Sequence, residues 1–418
     1  MIDPRILRED PDLVRTSLAR RGAAIDLDEI IALEQQARGL QAEAEQARAA
    51  QRDAGRRIAQ LSGDEKQAAI DEVQGLADRV KALTAEADSS AAEFERLWLT
   101  VPNLVDPTAA EGQEDEGEVL REVGERPEFG FVPRDYADLG ESLDVIDTER
   151  AAKVSGSRFG YLKGRAVLLE FALVRWAFDK LVGAGHTPMV PPVLVREEAL
   201  VGTGFFPADR DQVYAVQEDE LYLVGTSEVP LAAYHGDEIF EAADLPARYA
   251  GFSTCFRREA GTYGKDTTGI FRVHQFDKVE MFVFCRPEDS PGEHERLLGI
   301  EESLVQDLDV PYRVVNIPAG DLGASAAKKY DIEAWFPSQE RYREITSCSN
   351  TTDYQARRLR VRYRADGSNE VTHTLNGTAC AIGRTILAIL ENHQRSDGSV
   401  EIPAALRPYT GFDAIEPP

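Results

Sequence analysis

The strongest constraint on the fold of this chain is a pair of apolar stripes in its first quarter. From about Asp28 to Leu61 the positions Ile30, Leu33, Ala37, Leu40, Ala44, Ala47, Ala54, Ile58 and Leu61 advance mostly in steps of three and four. That spacing puts them on one face of a helix. After Ser62, Gly63, Asp64 and Glu65 the pattern resumes as Ile70, Val73, Leu76, Val80, Leu83, Ala87, Ala91, Phe94 and Leu97, and it stops before Pro102. Two long helices joined by so short a turn must lie antiparallel, zipped along their stripes. At about 1.5 Å rise per residue, helices of roughly 35 residues predict a hairpin on the order of 50 Å long.

Near the expected tip, Arg48, Arg52 and Arg56 recur at i+4 spacing with Arg57 adjacent, and Asp53 is the one acid between Gln46 and Ser62. Guanidinium forks match phosphate geometry, so this face suits a nucleic-acid backbone. By itself such a charge run more often marks a solvated face or a dimerisation coiled coil. Past it, the stretch TAAEGQEDEGE is acidic and apolar-poor, and predicts a surface linker over 106–120 between an N-terminal unit, 1–105, and a larger unit, 121–418.

A chain of 418 residues suits two domains. Its net charge of -27, from 74 acidic and 47 basic residues, argues against non-specific coating of nucleic acid or anionic membrane, so any RNA contact must be local. The four cysteines, Cys255, Cys285, Cys348 and Cys380, are widely spaced without a CxxC pair, which reads as buried thiols in a reducing compartment. The apolar stretch from Ala166 to Phe178 is broken by Glu170 and Arg175, and the N-terminus is charged throughout, so neither a membrane span nor a signal peptide is expected. The chain reads as cytoplasmic.

Downstream, short runs such as LYLVGTSEV, YAGFSTCFRRE, VEMFVFC and YRVVNI look like strands, with helical stretches near Ala166 to Val182 and Ile382 to Asn392. With no regular helix between them, such runs favour an α+β domain on an antiparallel sheet. There is no GxxxxGK[ST] and no GxGxxG after a strand, which excludes the usual P-loop and Rossmann nucleotide sites. Phosphate-handling groups appear instead in Phe256-Arg257-Arg258-Glu259, then a glycine-rich turn, GTYGKDTTG, then Phe271-Arg272-Val273-His274-Gln275-Phe276. Two strands joined by that turn would bring Arg257 and Arg272 to one surface.

This segment resembles motif 2 of the class II aminoacyl-tRNA synthetases; HTPMVPP around Pro191 resembles motif 1, and NGTACAIGRTILAILEN around Arg384 resembles motif 3. With TSEV at Thr226 to Val229, HQFDKVEMF, REITSCSN, DYQARR, and ENHQRSDGSV followed by LRPYTG, the chain resembles the seryl-tRNA synthetase family along nearly its full length. The resemblance implies an α-helical coiled-coil hairpin that holds tRNA, followed by a class II antiparallel catalytic sheet flanked by helices. It implies activation of L-serine with ATP and transfer to tRNA(Ser), with tRNA(Sec) as a further acceptor it admits, in a homodimer joined through motif 1.

Residue roles follow by the same resemblance. Arg257 would bind the α-phosphate in the run Arg257, Arg258, Glu259; Glu259 and the Val273 backbone would read adenine, Phe276 would stack on it, and Arg272 and Arg384 would hold the outer phosphates. Glu344, Ile345, Thr346 and Ser347 match the second ATP contact, with Glu344 and Ser347 carrying Mg²⁺. Thr226, Ser227, Glu228, Glu280 and Thr378 match the serine contacts, Glu280 and Thr378 serving the hydroxyl. Arg257 and Arg384 would be the catalytic cations, and Arg48, Arg52 and Arg56 would meet tRNA. His274 reads as a packed, hydrogen-bonded residue, and His294, in HER without a second histidine, as a surface one.

The chain departs from the family at Tyr136, where His is more frequent, and at Thr351, where Cys is frequent. Gly225 and the loop GTGFFP at Gly202 to Pro207 would tune the pocket mouth and leave open a specialised copy tolerating a serine-like antibiotic. Two alternatives stand beside the synthetase: an amino acid:carrier-protein ligase, against which the long arm counts, and a non-catalytic RNA-binding paralogue, against which the retained Arg257, Glu259, Glu344 and Arg384 count.

Overall fold

The structure, a computed structural model, describes residues 1–113, 116–260, 270–365 and 367–418. The glycine-rich turn of the sequence reading, 261–269, lies outside the described residues, as do positions 114–115 of the acidic stretch. The chain folds as two units, Pro4–Leu18 with Ala23–Val101, and Met1–Asp3 with Ala19–Gly22 and Pro102–Pro418.

The smaller unit is the helical hairpin. Helix α1 (Pro11–Arg21) precedes it, and α2 (Leu27–Ile58) and α3 (Gly63–Trp98) form it. Asp26 starts α2 by accepting the Glu29 N–H at 3.1 Å, an N-cap that satisfies an otherwise orphaned donor. The buried seam is built from small residues, Ala44, Ala47 and Ala54 on α2 and Ala87 and Ser90 on α3, which let the two backbones approach closely. Toward the other end the seam widens to take Leu27, Ile30 and Trp98, with Phe94 stacked on Trp98 at 6.0 Å.

The larger unit is α+β. Its eight-stranded sheet comprises β1 (Glu118–Val123), β2 (Thr187–Met189), β3 (Ala247–Phe256), β4 (Gln275–Cys285), β5 (Tyr312–Asn316), β6 (Lys328–Phe336), β7 (Arg341–Thr352) and β8 (His373–Ala381). The spatial order is β1-β5-β6-β7-β8-β4-β3-β2, antiparallel throughout except for the parallel β2–β3 pair. Helices α4 (Arg165–Gly183), α5 (Glu197–Thr203), α6 (Glu228–Ala233), α7 (Ser290–Asp307) and α8 (Ile382–Asn392) surround it.

Strand β4 shows how the sequence orders these layers. Val279, Met281, Val283 and Cys285 enter the main core with Leu169 and Leu173 of α4, Leu297 of α7 and Ile386 of α8. On the opposite face Phe282 and Phe284 join Leu231 of α6 in a second cluster. Both faces are covered over that stretch, so the strand reads as an unbroken apolar run rather than an alternation.

Three readings of the sequence need correction. The run LYLVGTSEV is extended only at Leu221–Leu223 and then turns into α6, whose Pro230 sits in the first helical turn, where a missing N–H costs nothing. The acidic stretch is not a free linker throughout. Ala109 and Ala110 are buried, Asp106 N donates to Ala327 O at 2.9 Å, and Glu118 already belongs to β1. His294 is not a surface residue: it is 3% exposed, lies 3.1 Å from Cys348 O through Nε2, and stacks on Tyr330 at 4.8 Å. Among the described residues no helix is long and apolar enough to cross a membrane, and all four cysteines are buried free thiols.

Candidate active site

The open face of the sheet carries a cavity of about 430 Å³. Alternation along β4 points Phe276, Lys278 and Glu280 into it, and the same rule on β8 supplies Asn376 and Thr378. A bulge at Ala379 sets Thr378 opposite Glu280, with Thr378 Oγ1 3.4 Å from Glu280 Oε2. On β7 a second bulge leaves Ile345 without a partner on β6, so Glu344, Ile345, Ser347 and Ser349 all reach the cavity. Arg384 arrives from the first turn of α8, and Arg257 from the end of β3.

At one end the groups suit an amino acid. Thr226 and Glu228 come from the turn into α6, and Lys278 Nζ donates to Thr226 Oγ1 at 2.8 Å while forming an ion pair with Glu280. Glu228 Oε1 accepts from Gln355 Nε2 at 2.7 Å. Burial, then the charge of Glu280, pushes the Glu228 carboxyl up to about 7, against the pull of Gln355, Lys278 and Arg257. Two carboxylates around one lysine leave this end with an appetite for a further cation.

At the other end cations predominate. Arg257 Nε donates to Gly225 O at 3.1 Å, and its guanidinium lies 5.2 Å from the Phe276 ring. Arg272 pairs with Glu259. Arg384 Nη1 donates to Glu344 O at 3.0 Å and lies 3.3 Å from Glu344 Oε2, while its guanidinium sits 4.8 Å above Phe271. Burial alone would raise the Glu344 carboxyl, yet Arg384, Lys329 and Arg257 together hold it down at about 2. It is therefore an ionised oxygen donor facing the cavity.

Of the residues singled out from sequence, Thr226, Glu228, Arg257, Glu259, Arg272, Val273, Phe276, Glu280, Glu344, Ile345, Ser347, Thr378 and Arg384 converge on this cavity. Ser227, Arg258 and Thr346 do not line it. Ser227 is buried with Oγ 3.4 Å from Gly251 O, Arg258 is exposed with its N–H on Gln212 O, and Thr346 faces the other side of β7, 3.3 Å from Glu301. In the hairpin unit Arg48, Arg52 and Arg56 are exposed; Arg48 reaches Thr84 Oγ1 at 2.9 Å and Arg56 lies 3.4 Å from Asp53.

Sequence reasoning passed over Lys278, Asn376 and Lys329. Lys278 and Asn376 stand two residues before Glu280 and Thr378, so period-two alternation alone would have found them. Lys329, bound to Asp331 at 3.0 Å, enters through the β6–β7 register, for which the local sequence holds no signal.

A catalytic sheet of this order, with a cation-lined cavity and neither P-loop nor Rossmann turn, is that of a class II aminoacyl-tRNA synthetase. Residues 212–393 match the model of the tRNA synthetase class II core domain (G, H, P, S and T), and residues 1–105 match the seryl-tRNA synthetase N-terminal domain. A serine--tRNA ligase of Acidothermus cellulolyticus is 53% identical over 418 residues, the whole of both chains. The solved seryl-tRNA synthetase from Pyrococcus horikoshii, complexed with ATP, superposes with a TM-score of 0.95 at 41% identity over 100% of both chains. The cytoplasmic serine-tRNA ligase of Naegleria fowleri, in complex with AMP, gives 0.89 at 35% identity over 100% of this chain and 99% of that one. The chain belongs to the seryl-tRNA synthetase family.

Proposed function

We propose that this enzyme activates L-serine with ATP and transfers the seryl group to tRNA(Ser), using the cavity just described for both steps. The observation that carries the residue assignment is that one cavity gathers the linked Glu228–Lys278–Glu280–Thr378 cluster and the cations Arg257, Arg272 and Arg384. The first suits a small zwitterion with a hydroxyl group, the second a polyphosphate.

In the first step a serine carboxylate oxygen bonds to the α-phosphorus and the bond to pyrophosphate breaks, giving seryl-adenylate. The carboxylate is already ionised, so no general base is needed; the barrier is the meeting of two anions. Arg257 meets the α-phosphate, Arg272 and Arg384 the outer phosphates, and Phe276, Glu259 and the Val273 backbone hold the adenine. Fixed cations in a sheltered cavity stabilise the charge of the transition state without having to reorganise. In the second step a hydroxyl of the terminal ribose attacks the carbonyl carbon and AMP leaves.

Glu344, ionised, and Ser347 Oγ offer the sparse oxygen donor set that suits Mg²⁺. Bound there, the ion would supply further neutralisation of phosphate charge.

The arm, within residues 1–105, takes the tRNA through the face of Arg48, Arg52 and Arg56, and residues 121–418 carry catalysis, the stretch 106–120 entering their sheet at Glu118. A homodimer is supported by the apolar stripe that α4 leaves uncovered, Leu168, Phe171 and Val182 at 53%, 64% and 52% exposure, and by Val190 in the motif 1 segment at 80%. The buried free thiols suit the cytoplasm. Serine-dependent ATP–pyrophosphate exchange followed by charging of purified tRNA(Ser), and of tRNA(Sec) in parallel, tests the reading. Exchange without charging would point to loading of a carrier protein, and neither activity to a regulatory RNA-binding role.

A further inference from the structure

One wall of the cavity is an irregular loop, residues 322–326, which lends it Gly323, Ser325 and Ala326. The carbonyls of these five consecutive residues are all taken by two side chains and one backbone N–H from far upstream. Arg21 Nη1 donates to Leu322 O at 3.0 Å and to Gly323 O at 3.3 Å, and its Nη2 donates to Ala326 O. Asn103 N donates to Ala324 O at 2.8 Å, and Asn103 Nδ2 to Ser325 O at 2.9 Å. The two holders are tied to each other, Arg21 Nε donating to Asn103 O at 3.0 Å.

This is an unusual use of a guanidinium. Arg21 is 8% exposed and Asn103 3% exposed, and the hydrogen bonds of the Arg21 head all go to carbonyls. A buried cation without a carboxylate is costly, and burial pushes its pKa down to about 10. The loop does not need it for attachment, because Leu322 and Ala326 already anchor in an apolar cluster with Val105, Ala109, Val315 and Ile317. What the fork adds is the orientation of each peptide unit in the wall. Its donors lie in one rigid plane, which a lysine cannot reproduce from a single nitrogen.

The wall abuts the amino-acid end. A Cβ placed on Gly204 would lie 3.6 Å from Ser325 Cβ, so the loop leans on the GTGFFP segment, whose Phe205 also lines the cavity. The neighbouring Thr203 O accepts from Gln355 Nε2 at 3.1 Å, and the same nitrogen holds Glu228. Asn103 Nδ2 also donates to Thr351 O at 2.8 Å, beyond the end of the Ser347–Ser349 ridge.

We propose that Arg21 and Asn103 are positioning residues for the amino-acid end of the cavity, setting the affinity for serine through the 322–326 wall without touching substrate. The inference rests on reading that end as the serine pocket. Arg21→Lys keeps the charge and loses the fork; Asn103→Ala loses the Nδ2 donor while its backbone N–H remains. In each full-length variant, serine-dependent pyrophosphate exchange should show KM for serine raised about tenfold, with KM for ATP within about twofold and the thermal midpoint within a few degrees of the unaltered protein. Unchanged kinetics, equal rises in both KM values, or a fall in kcat alone would overturn the inference. So would loss of the folded state in both variants, since the pair would then serve the fold and not the cavity. Absence of exchange in the unaltered protein would overturn instead the reading of the pocket itself.

Discussion

Lys278 and Glu280 stand two residues apart on one face of β4 and form an ion pair inside the cavity, with side chains 8% and 2% exposed. Removing one partner of such a pair strands the other charge, at a cost of about 3–5 kcal/mol, whereas replacing both with apolar groups can be nearly neutral. Lys278→Met should therefore lower the thermal midpoint sharply, and Lys278→Met with Glu280→Leu should recover most of the loss. Neither protein should support serine-dependent exchange. A Lys278→Met protein as stable as the parent would show that the pair is not a buried charge pair in solution.

Glu228 holds its proton up to about 7, chiefly because it is buried and secondly because Glu280 is close. If Glu228 meets the serine ammonium, its neutral carboxyl below that pH offers no charge and its carboxylate above it does. KM for serine should fall as pH rises from 6 to 8, and the trend should vanish in Glu228→Gln. The stability sign is opposite. A raised carboxyl pKa contributes stability that is present at low pH and lost as pH rises from the ordinary 4.5 through 7, so Glu228→Gln should gain stability relative to the parent over that interval. Thermal unfolding at pH 5 and pH 8 checks it.

Where the fold was legible in sequence, the signal was local. The hairpin seam repeats at helical spacing within single helices, and the apolar run of β4 announces a strand covered on both faces. His294 was misread because its chain neighbours Glu293, Glu295 and Arg296 look like a solvated helix. In fact Ser290, Glu293, His294, Leu297, Leu298 and Glu301 form one buried face of α7, a helical stripe whose polar members hide it, with Glu293 paired to Arg248 at 2.8 Å through Nε. The site was legible in part through motif order. The entry of Lys329 through the β6–β7 register, and the hold of Arg21 and Asn103 on residues 322–326, depend on pairings across long stretches of chain that no local pattern encodes.

Thr378 Oγ1 and Glu280 Oε2 lie 3.4 Å apart, and on the proposed reading of the pocket they share the substrate hydroxyl. On that reading, alanine entering the pocket would leave them without a substrate partner, which is how a hydrogen-bonding pocket rejects a substrate lacking the group. Thr378→Val keeps the volume and removes one partner. The preference for serine over alanine should drop by about 1–2 kcal/mol, roughly fivefold to thirtyfold in the ratio of kcat/KM. Exchange measured with each amino acid gives that ratio, and an unchanged ratio would place the selectivity elsewhere.

The arm makes a separable prediction, because Arg48, Arg52 and Arg56 lie in the helical unit while every group of the cavity lies in the other. If the three guanidinium groups meet tRNA phosphates, replacing them together with alanine should lower kcat/KM for tRNA charging. It should also flatten the dependence of log affinity on log salt by about 1 for each phosphate no longer neutralised, since every such neutralisation releases condensed counterions. Alanine is the best helix former, and none of the three side chains belongs to the buried seam, so the hairpin should remain folded by circular dichroism. Serine-dependent exchange should be unchanged, because that step needs no tRNA. Charging that stays at the parental rate and salt slope would return this arginine run to the reading it had in isolation, a solvated helix face.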